Sequence, residues 1–251
     1  MTLIDVSPAP MASSLGLEMG RRIAGLVESN GVSLLCGSSV ERVELAEREA
    51  GASLWLSSGQ SLQADVIVSA AGASAATGWL DGSGFEVADG VVCDAYSKAA
   101  KGVYACGDVA RWMHPEFGSM RAQHWSNAAE QGIAAATNLY LELQGLEHER
   151  RPYEPVPYFW SDHFGCRLQA VGHPQVADET VAVKEDENGT LLLVYLLEGR
   201  PVAAAGYRCA RAIARCKALI PRASNLRALL EGLDMDLPSS AGLSHRHARL
   251  S

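Results

Sequence analysis

A chain of 251 residues with a formal charge of −8 and 48% apolar residues is long enough to bury one large core or two ordinary ones. The acidic balance argues against nucleic-acid binding, which needs a positive footprint, and no apolar run approaches the ~20 residues of a membrane-spanning helix. Six cysteines (Cys36, Cys93, Cys106, Cys166, Cys209 and Cys216) stand at wide spacing with no C-x-x-C pair, so neither a disulfide framework nor a metal site is expected.

The opening Met1-Thr-Leu-Ile-Asp5-Val carries no basic leader and no cleavage site after an apolar core, which predicts a cytoplasmic protein. Thr2 to Val6 reads as a strand ending in an acid. Leu15 to Ser29 has helical spacing through Leu17, Ile23, Ala24 and Val27, and Asn30-Gly31 ends it. Val32 to Cys36 reads as a second strand. Val40 to Leu45 and Ala52 to Leu56 predict an antiparallel excursion that turns at Ser58-Gly59. Asp65-Val-Ile-Val-Ser-Ala-Ala-Gly72 is a continuous apolar run, the pattern of a central parallel strand covered on both faces. Residues 1–72 thus resemble the later part of a doubly wound α/β unit.

Gly90 to Asp94 predicts the start of a strand pair that ends in Val103-Tyr-Ala-Cys106, itself read as buried. Trp125 to Leu143 is a long amphipathic helix pattern with Ala128, Ile133, Ala136 and Leu139 on its apolar side. Pro152, Pro155 and Pro157 mark a linker. Beyond it, Arg167 to Val171, Val181 to Val183, Leu191 to Tyr195 and Val202 to Ala205 predict an antiparallel sheet, with a helix from Cys209 to Ile220 packed on it. Residues 237–251 are polar and aperiodic and predict a disordered tail; its His245 and His247 are more simply frayed than metal-binding.

Two stretches carry chemistry. In Val103-Tyr-Ala-Cys-Gly107-Asp108-Val-Ala110, Gly107 lets the backbone approach a ligand closely, and Asp108 at the strand's carboxyl end can accept a bond from a ligand hydroxyl. A strand-to-helix turn with Asp108 as N-cap accounts for the same residues equally well. In Arg121-Ala-Gln-His124-Trp125-Ser-Asn127-Ala128-Ala-Glu130-Gln131-Gly132 a helix start offers free N–H groups and a positive dipole end, suited to an electron-rich ring edge. Trp125 alone would also suit a core position.

The first octet resembles the second flavin-binding motif of the two-dinucleotide flavoprotein reductases. The His124-Trp125-x-Asn127-Ala128 stretch is similar to a helix of the ferredoxin, putidaredoxin and rubredoxin reductases. Pro155-Val-Pro157-Tyr-Phe159-Trp160-Ser161-Asp162 with Leu168-Gln-x-Val-Gly172 resembles the start of their third domain.

This resemblance, over residues 1 to about 235, implies an α/β plus α+β chain. It is a partial two-dinucleotide-binding flavoprotein reductase fold with a C-terminal antiparallel-sheet domain. The implied divisions are a partial NAD-binding domain at 1–72, the C-terminal part of an FAD-binding domain at 73–150, and a C-terminal reductase domain at 151–236. Implied roles follow for FAD and NAD(P)H as cofactors. Asp108 holds the ribityl chain where Gly107 lets the backbone come close, His124, Trp125 and Ala128 open the helix at the flavin, and Trp160 covers the ring. Asp5 bonds the ribose hydroxyl of NADH. No side chain is needed as a general acid or base, because hydride passes from NADH to FAD and single electrons then pass to an iron–sulfur protein.

Three features complete the reading. No G-x-G-x-x-G follows an apolar strand anywhere, although the family uses two, so the chain reads as a reductase, as a non-catalytic remnant or binding module, or as one half of a split enzyme whose N-terminal half is a separate polypeptide. The redox-active cysteine pair of the disulfide reductases is missing. Arg208, Arg211 and Arg215 are spaced to share one helix face, which would steer an acidic ferredoxin-like protein or simply lie solvated.

Overall fold

The computed structural model describes residues 1–45, 51–237 and 245–246. Strand β1 (Thr2–Asp5), helix α1 (Ala12–Ser29) and strand β2 (Ser33–Cys36) form a β-α-β unit in which the two strands pair in parallel, Thr2 opposite Ser33 and Asp5 opposite Cys36. Strands β3 (Val40–Leu45) and β4 (Ala52–Leu56) pair as the expected antiparallel excursion, and β5 (Ser61–Ala64), which the sequence did not mark as a strand, adds to it. Gly59 makes the β4–β5 turn with a φ of 82°, a conformation that favours glycine.

The run from Val66 to Gly72 does not form the expected central strand. It has no regular structure, and Val66 and Val68 are 79% and 85% exposed. A parallel strand holds its place through neighbours on both edges and helices on both faces. Among the described residues none pairs with this segment, so its backbone groups are left to water.

Residues 78–150 contribute β6 (Val91–Cys93), β7 (Lys98–Ala100), β8 (Val103–Tyr104), β9 (Ala110–His114), β10 (Gly118–Met120) and the long helix α2 (Trp125–Leu143). The expected pairing of Gly90–Asp94 with Val103–Cys106 is replaced by two others. Strand β6 runs parallel to β9, and among the described residues β8 pairs with β7 alone. Val103 is 39% exposed rather than buried.

The C-terminal part holds β11 (Tyr158–His163), β12 (Cys166–Gly172), β13 (Glu179–Glu185), β14 (Leu191–Leu197), β15 (Arg200–Tyr207), α3 (Ala210–Leu219) and α4 (Leu226–Leu233). The sheet order is β11-β12-β15-β14-β13, with antiparallel neighbours throughout. The predicted sheet is therefore present, with β11 added at its edge. Within the segment expected to be disordered, His245–Arg246 forms β16 and pairs with Glu179 and Thr180; 238–244 and 247–251, His247 included, lie outside the described residues.

Both faces of this sheet are covered. Helices α3 and α4 bury Ile213, Cys216, Leu229, Leu230 and Leu233 against Val171, Val194 and Ala204. The other face receives α1, whose Leu15, Met19, Ile23 and Val27 join one core with Leu168, Leu193, Tyr195 and Ala205. Each such side chain contributes about 1.5–3 kcal/mol on burial. Double coverage explains why Leu191 through Leu196 are all buried instead of alternating. Gly16 interrupts the α1 helical backbone (φ 76°, ψ 164°), and the adjacent Leu15 carbonyl accepts from the buried Tyr195 hydroxyl at 2.7 Å, so the break in the helix is satisfied across the core.

A buried His pair joins the β9–β10 hairpin to this sheet. The His114 and His173 rings lie 5.3 Å apart, Phe117 packs against both, and His173 Nε2 donates to Pro155 O at 3.2 Å. Burial lowers both pKa values, that of His173 to about 4. Both imidazoles are thus neutral in the fold but protonate near 6.5 when unfolded. The stability they provide is complete above that pH and is lost as pH falls below it; for His173 the decline runs from about 6.5 to about 4, with little change below. For His173 this is on the order of 3 kcal/mol. The melting temperature should fall by roughly 5–10 °C between pH 7 and 4.5, and His173→Gln should fall less; equal declines would remove this origin.

Candidate flavin site

The stretch after β8 turns through Gly107–Val109, a single 3₁₀ turn that leads into β9. It is not the start of a helix, so Asp108 is not an N-cap. Gly107 is buried with φ 72°, and a Cβ there would lie 3.2 Å from the Cβ of Ala128. Glycine is required both for the conformation and for the approach of the turn to α2. Asp108 is exposed, and its carboxylate makes no hydrogen bond or ion pair among the described residues.

Helix α2 begins beside this turn. His124 is its N-cap in an extended conformation, and no side chain caps the helix, which leaves the first N–H groups open at the positive dipole end. The His124 ring stacks on Phe159 at 5.1 Å. Burial lowers its pKa, opposed by the nearby Asp108 carboxylate. Ser126 Oγ donates to Tyr158 O at 2.6 Å and ties the helix start to β11.

Gly107, Asp108, His124 and Ala128 are therefore brought together. Trp125 lies at the same helix start but is 80% exposed. Trp160 is 45% exposed and stacks on Tyr158 at 5.7 Å, while its neighbour Phe159 makes the contact with His124. Asp5 stands apart at the end of β1, where its Oδ1 accepts from Ser7 N at 2.8 Å.

The helix itself reverses the sequence expectation. Its buried residues are Asn127, Gln131, Ala135 and Asn138, whereas Ile133 is 71% exposed and Ala136, Tyr140 and Leu143 are exposed as well. The polar groups are buried because each has a partner. Asn138 Nδ2 donates to Tyr96 O and Arg151 O, Asn127 Nδ2 to Ala122 O, and the Tyr153 hydroxyl to Asn127 Oδ1. Gln131 Oε1 accepts from Gly107 N at 2.9 Å and its Nε2 donates to Ser97 Oγ at 3.2 Å. Sequence reasoning missed Gln131 and Phe159. The signal for Gln131 was the polar stripe 127, 131 and 138 at helical spacing among alanines.

The basic face is also different from the expected one. Arg208 precedes α3 with a left-handed backbone (φ 52°), which stops the helix from including it, and it donates to Asn188 O and towards Cys166 Sγ. Arg215 binds Asp234 and the carbonyls of Gly232 and Leu233 at the end of α4, a use of cations at helix C-termini. Arg211 alone of the three is exposed with no hydrogen bond or ion pair among the described residues.

Residues 1–132 match the family model described as pyridine nucleotide-disulphide oxidoreductase, and 158–237 match a second, described as reductase C-terminal. The chain belongs to the pyridine nucleotide-disulphide oxidoreductase family. The second match begins where β11 begins, and the resemblance to FAD-dependent ferredoxin and putidaredoxin reductases is borne out.

The chain is 28% identical over 206 residues to the 5,5'-dehydrodivanillate O-demethylase ferredoxin reductase subunit of Sphingobium sp. (strain NBRC 103272 / SYK-6), covering 81% of this chain and 48% of that one. It superposes on Fdr9 with a TM-score of 0.73 at 29% identity, over 96% of this chain and 56% of that one. A ferredoxin reductase for the CYP199A2 system from Rhodopseudomonas palustris shares the fold with a TM-score of 0.78 at 20% identity, covering 96% and 56%. The chain thus spans about half the length of these relatives. All six cysteines are free, and no helix among the described residues is long and apolar enough to cross a membrane.

The site fits the flavin end of FAD. A close-approach turn fixed by Gly107, an unengaged carboxylate on Asp108 and uncapped amides at α2 form an acceptor and donor set of the right chemistry.

Proposed function

We propose that this chain is the flavin-facing and partner-facing part of an FAD-dependent NAD(P)H:ferredoxin-type oxidoreductase. The observation that carries the reading is the Gly107–Asp108 turn packed against the uncapped start of α2. FAD, when bound, supplies hydride acceptance from a reduced nicotinamide and onward transfer of single electrons. The protein's own work is positioning and electrostatics. Asp108 accepts from the ribityl hydroxyls, the first amides of α2 favour negative charge at the ring edge, and Trp125 and Trp160 screen the ring from water. Asp5 accepts from the ribose of NADH through its free oxygen. Residues 1–72 serve the nicotinamide, 73–150 the flavin and 151–236 the interface.

The electron acceptor in this reading is an acidic iron–sulfur protein of ferredoxin type that docks near α3. Arg211 is the steering cation. The test is NADH-dependent reduction of an added ferredoxin by the FAD-loaded protein at low and high salt. Arg211→Glu should raise the KM for ferredoxin about two- to fivefold at low salt with kcat unchanged, and the difference should shrink at high salt. No NADH-dependent reduction under any condition would remove the reading.

A second reading is favoured by the exposed apolar surface. Trp125, Ala129, Ile133, Ala136, Tyr140 and Leu143 form one exposed stripe along α2, and Val66 to Val68 are exposed too. Such patches mark surfaces that another polypeptide covers. In this reading the protein acts as one half of a split reductase or as a binding module, and ferredoxin reduction appears only after that polypeptide is added.

A further inference from the structure

The turn that carries Asp108 is held on both sides. Before it, the Gly107 amide donates to Oε1 of the fully buried Gln131 at 2.9 Å, and Gln131 Nε2 is in turn anchored on the buried Ser97 hydroxyl at 3.2 Å. After it, the Asp108 carbonyl accepts from Arg121 Nη1 at 3.1 Å. Arg121 is oriented by Asp89, 3.0 Å from its Nη2, and Asp89 is itself fixed by Arg111 at 2.5 Å. Both bonds go to main-chain groups, while the Asp108 side chain is left free.

That division of labour has a physical consequence. A buried N–H needs a partner, and α2 supplies it from a glutamine placed on its core face, where an apolar residue would give more packing. A glutamine with both ends satisfied fixes a geometry as well as filling space. We propose that Gln131 and Arg121 are positioning residues that clamp the main chain at the Gly107 amide and at the Asp108 carbonyl and so fix the backbone from which the Asp108 carboxylate is directed towards FAD. The inference rests on the flavin reading, and deepens it by assigning the residues that preorganise the binding carboxylate.

Two measurements on the full chain test it. Hydrogen exchange without flavin reports the clamp alone. In Gln131→Met, which keeps volume and removes the acceptor, amides in 104–110 should exchange at least tenfold faster with those of β12, β14 and β15 unchanged. FAD affinity reports its consequence. Gln131→Met and Arg121→Met should each bind FAD about tenfold more weakly and lose intensity in the visible circular dichroism of the bound flavin, a signature of fixed ring environment.

Wild-type exchange at 104–110 in both variants, or wild-type FAD affinity with unaltered flavin dichroism, would overturn the clamp. Should Gln131→Met fail to fold, Arg121→Met decides by the same two readings. Faster exchange in the variants of a protein that binds no FAD at all would instead support the clamp and remove the flavin reading.

Discussion

Gly172→Ala should lower the unfolding midpoint of the C-terminal sheet by at least ~10 °C. Gly172 ends β12 with φ 82°, and a Cβ built on it falls well inside van der Waals contact distance of Val202 O and 2.8 Å from Ala203 Cα. Both obstacles are backbone atoms of the neighbouring strand β15, so no rotamer relieves the overlap. The left-handed conformation adds about 1 kcal/mol for a residue with a Cβ, and overpacking against fixed backbone adds a further ~1–3 kcal/mol or more. Together these remove a large share of the ~5–15 kcal/mol that holds a domain folded. Gly206→Ala should behave similarly, because its Cβ would meet Leu191 O on β14 and come 2.7 Å from Cys209 Sγ. Thermal unfolding followed by far-ultraviolet circular dichroism checks both; a midpoint within a few degrees of wild type would mean that the strands can separate at little cost.

Asp108→Ala should weaken FAD binding by about ten- to a hundredfold, as expected for loss of a hydrogen bond to a charged acceptor. The fold should be untouched, since the Asp108 side chain is exposed and makes no bond among the described residues. Asp108→Asn should fall between, because the amide oxygen still accepts but carries no charge. Titration of each variant with FAD, read by flavin fluorescence, separates them. Unchanged affinity in Asp108→Ala would take the ribityl role away from this residue.

The fold was legible where local pattern and tertiary context agree. The hairpins of the C-terminal sheet, the β3–β4 pair and helix α1 follow from spacing and turn residues alone. Pattern misled where context decides. The run Val66 to Gly72 is apolar enough for a central strand, yet a strand exists only where neighbours pair with it. Helix α2 has the opposite lesson. Its apolar residues face outward, because Asn127, Gln131 and Asn138 each meet specific main-chain groups of 96–107 and 122–151 on the inner face. The polar stripe at helical spacing marks that face, but its partners emerge only from the fold.

At the site, the meeting of Gly107, Asp108, His124 and Ala128 was legible from their order in the two motifs, because the close approach of the Gly107 turn to Ala128 on α2 needs small residues at both positions. Phe159 was passed over for its neighbour Trp160, since strand alternation does not say which face meets α2. The shared helix face of Arg208, Arg211 and Arg215 failed on one backbone angle, the positive φ of Arg208, which spacing alone does not reveal.

The most direct test of the central claim is the visible absorption spectrum of the purified chain titrated with FAD and separated from free flavin by gel filtration. The flavin reading predicts that yellow colour co-elutes with the protein at up to one FAD per chain, with an absorption band shifted or structured relative to free FAD. Protein that emerges colourless at every FAD concentration, with the flavin eluting free and fully fluorescent, would contradict it.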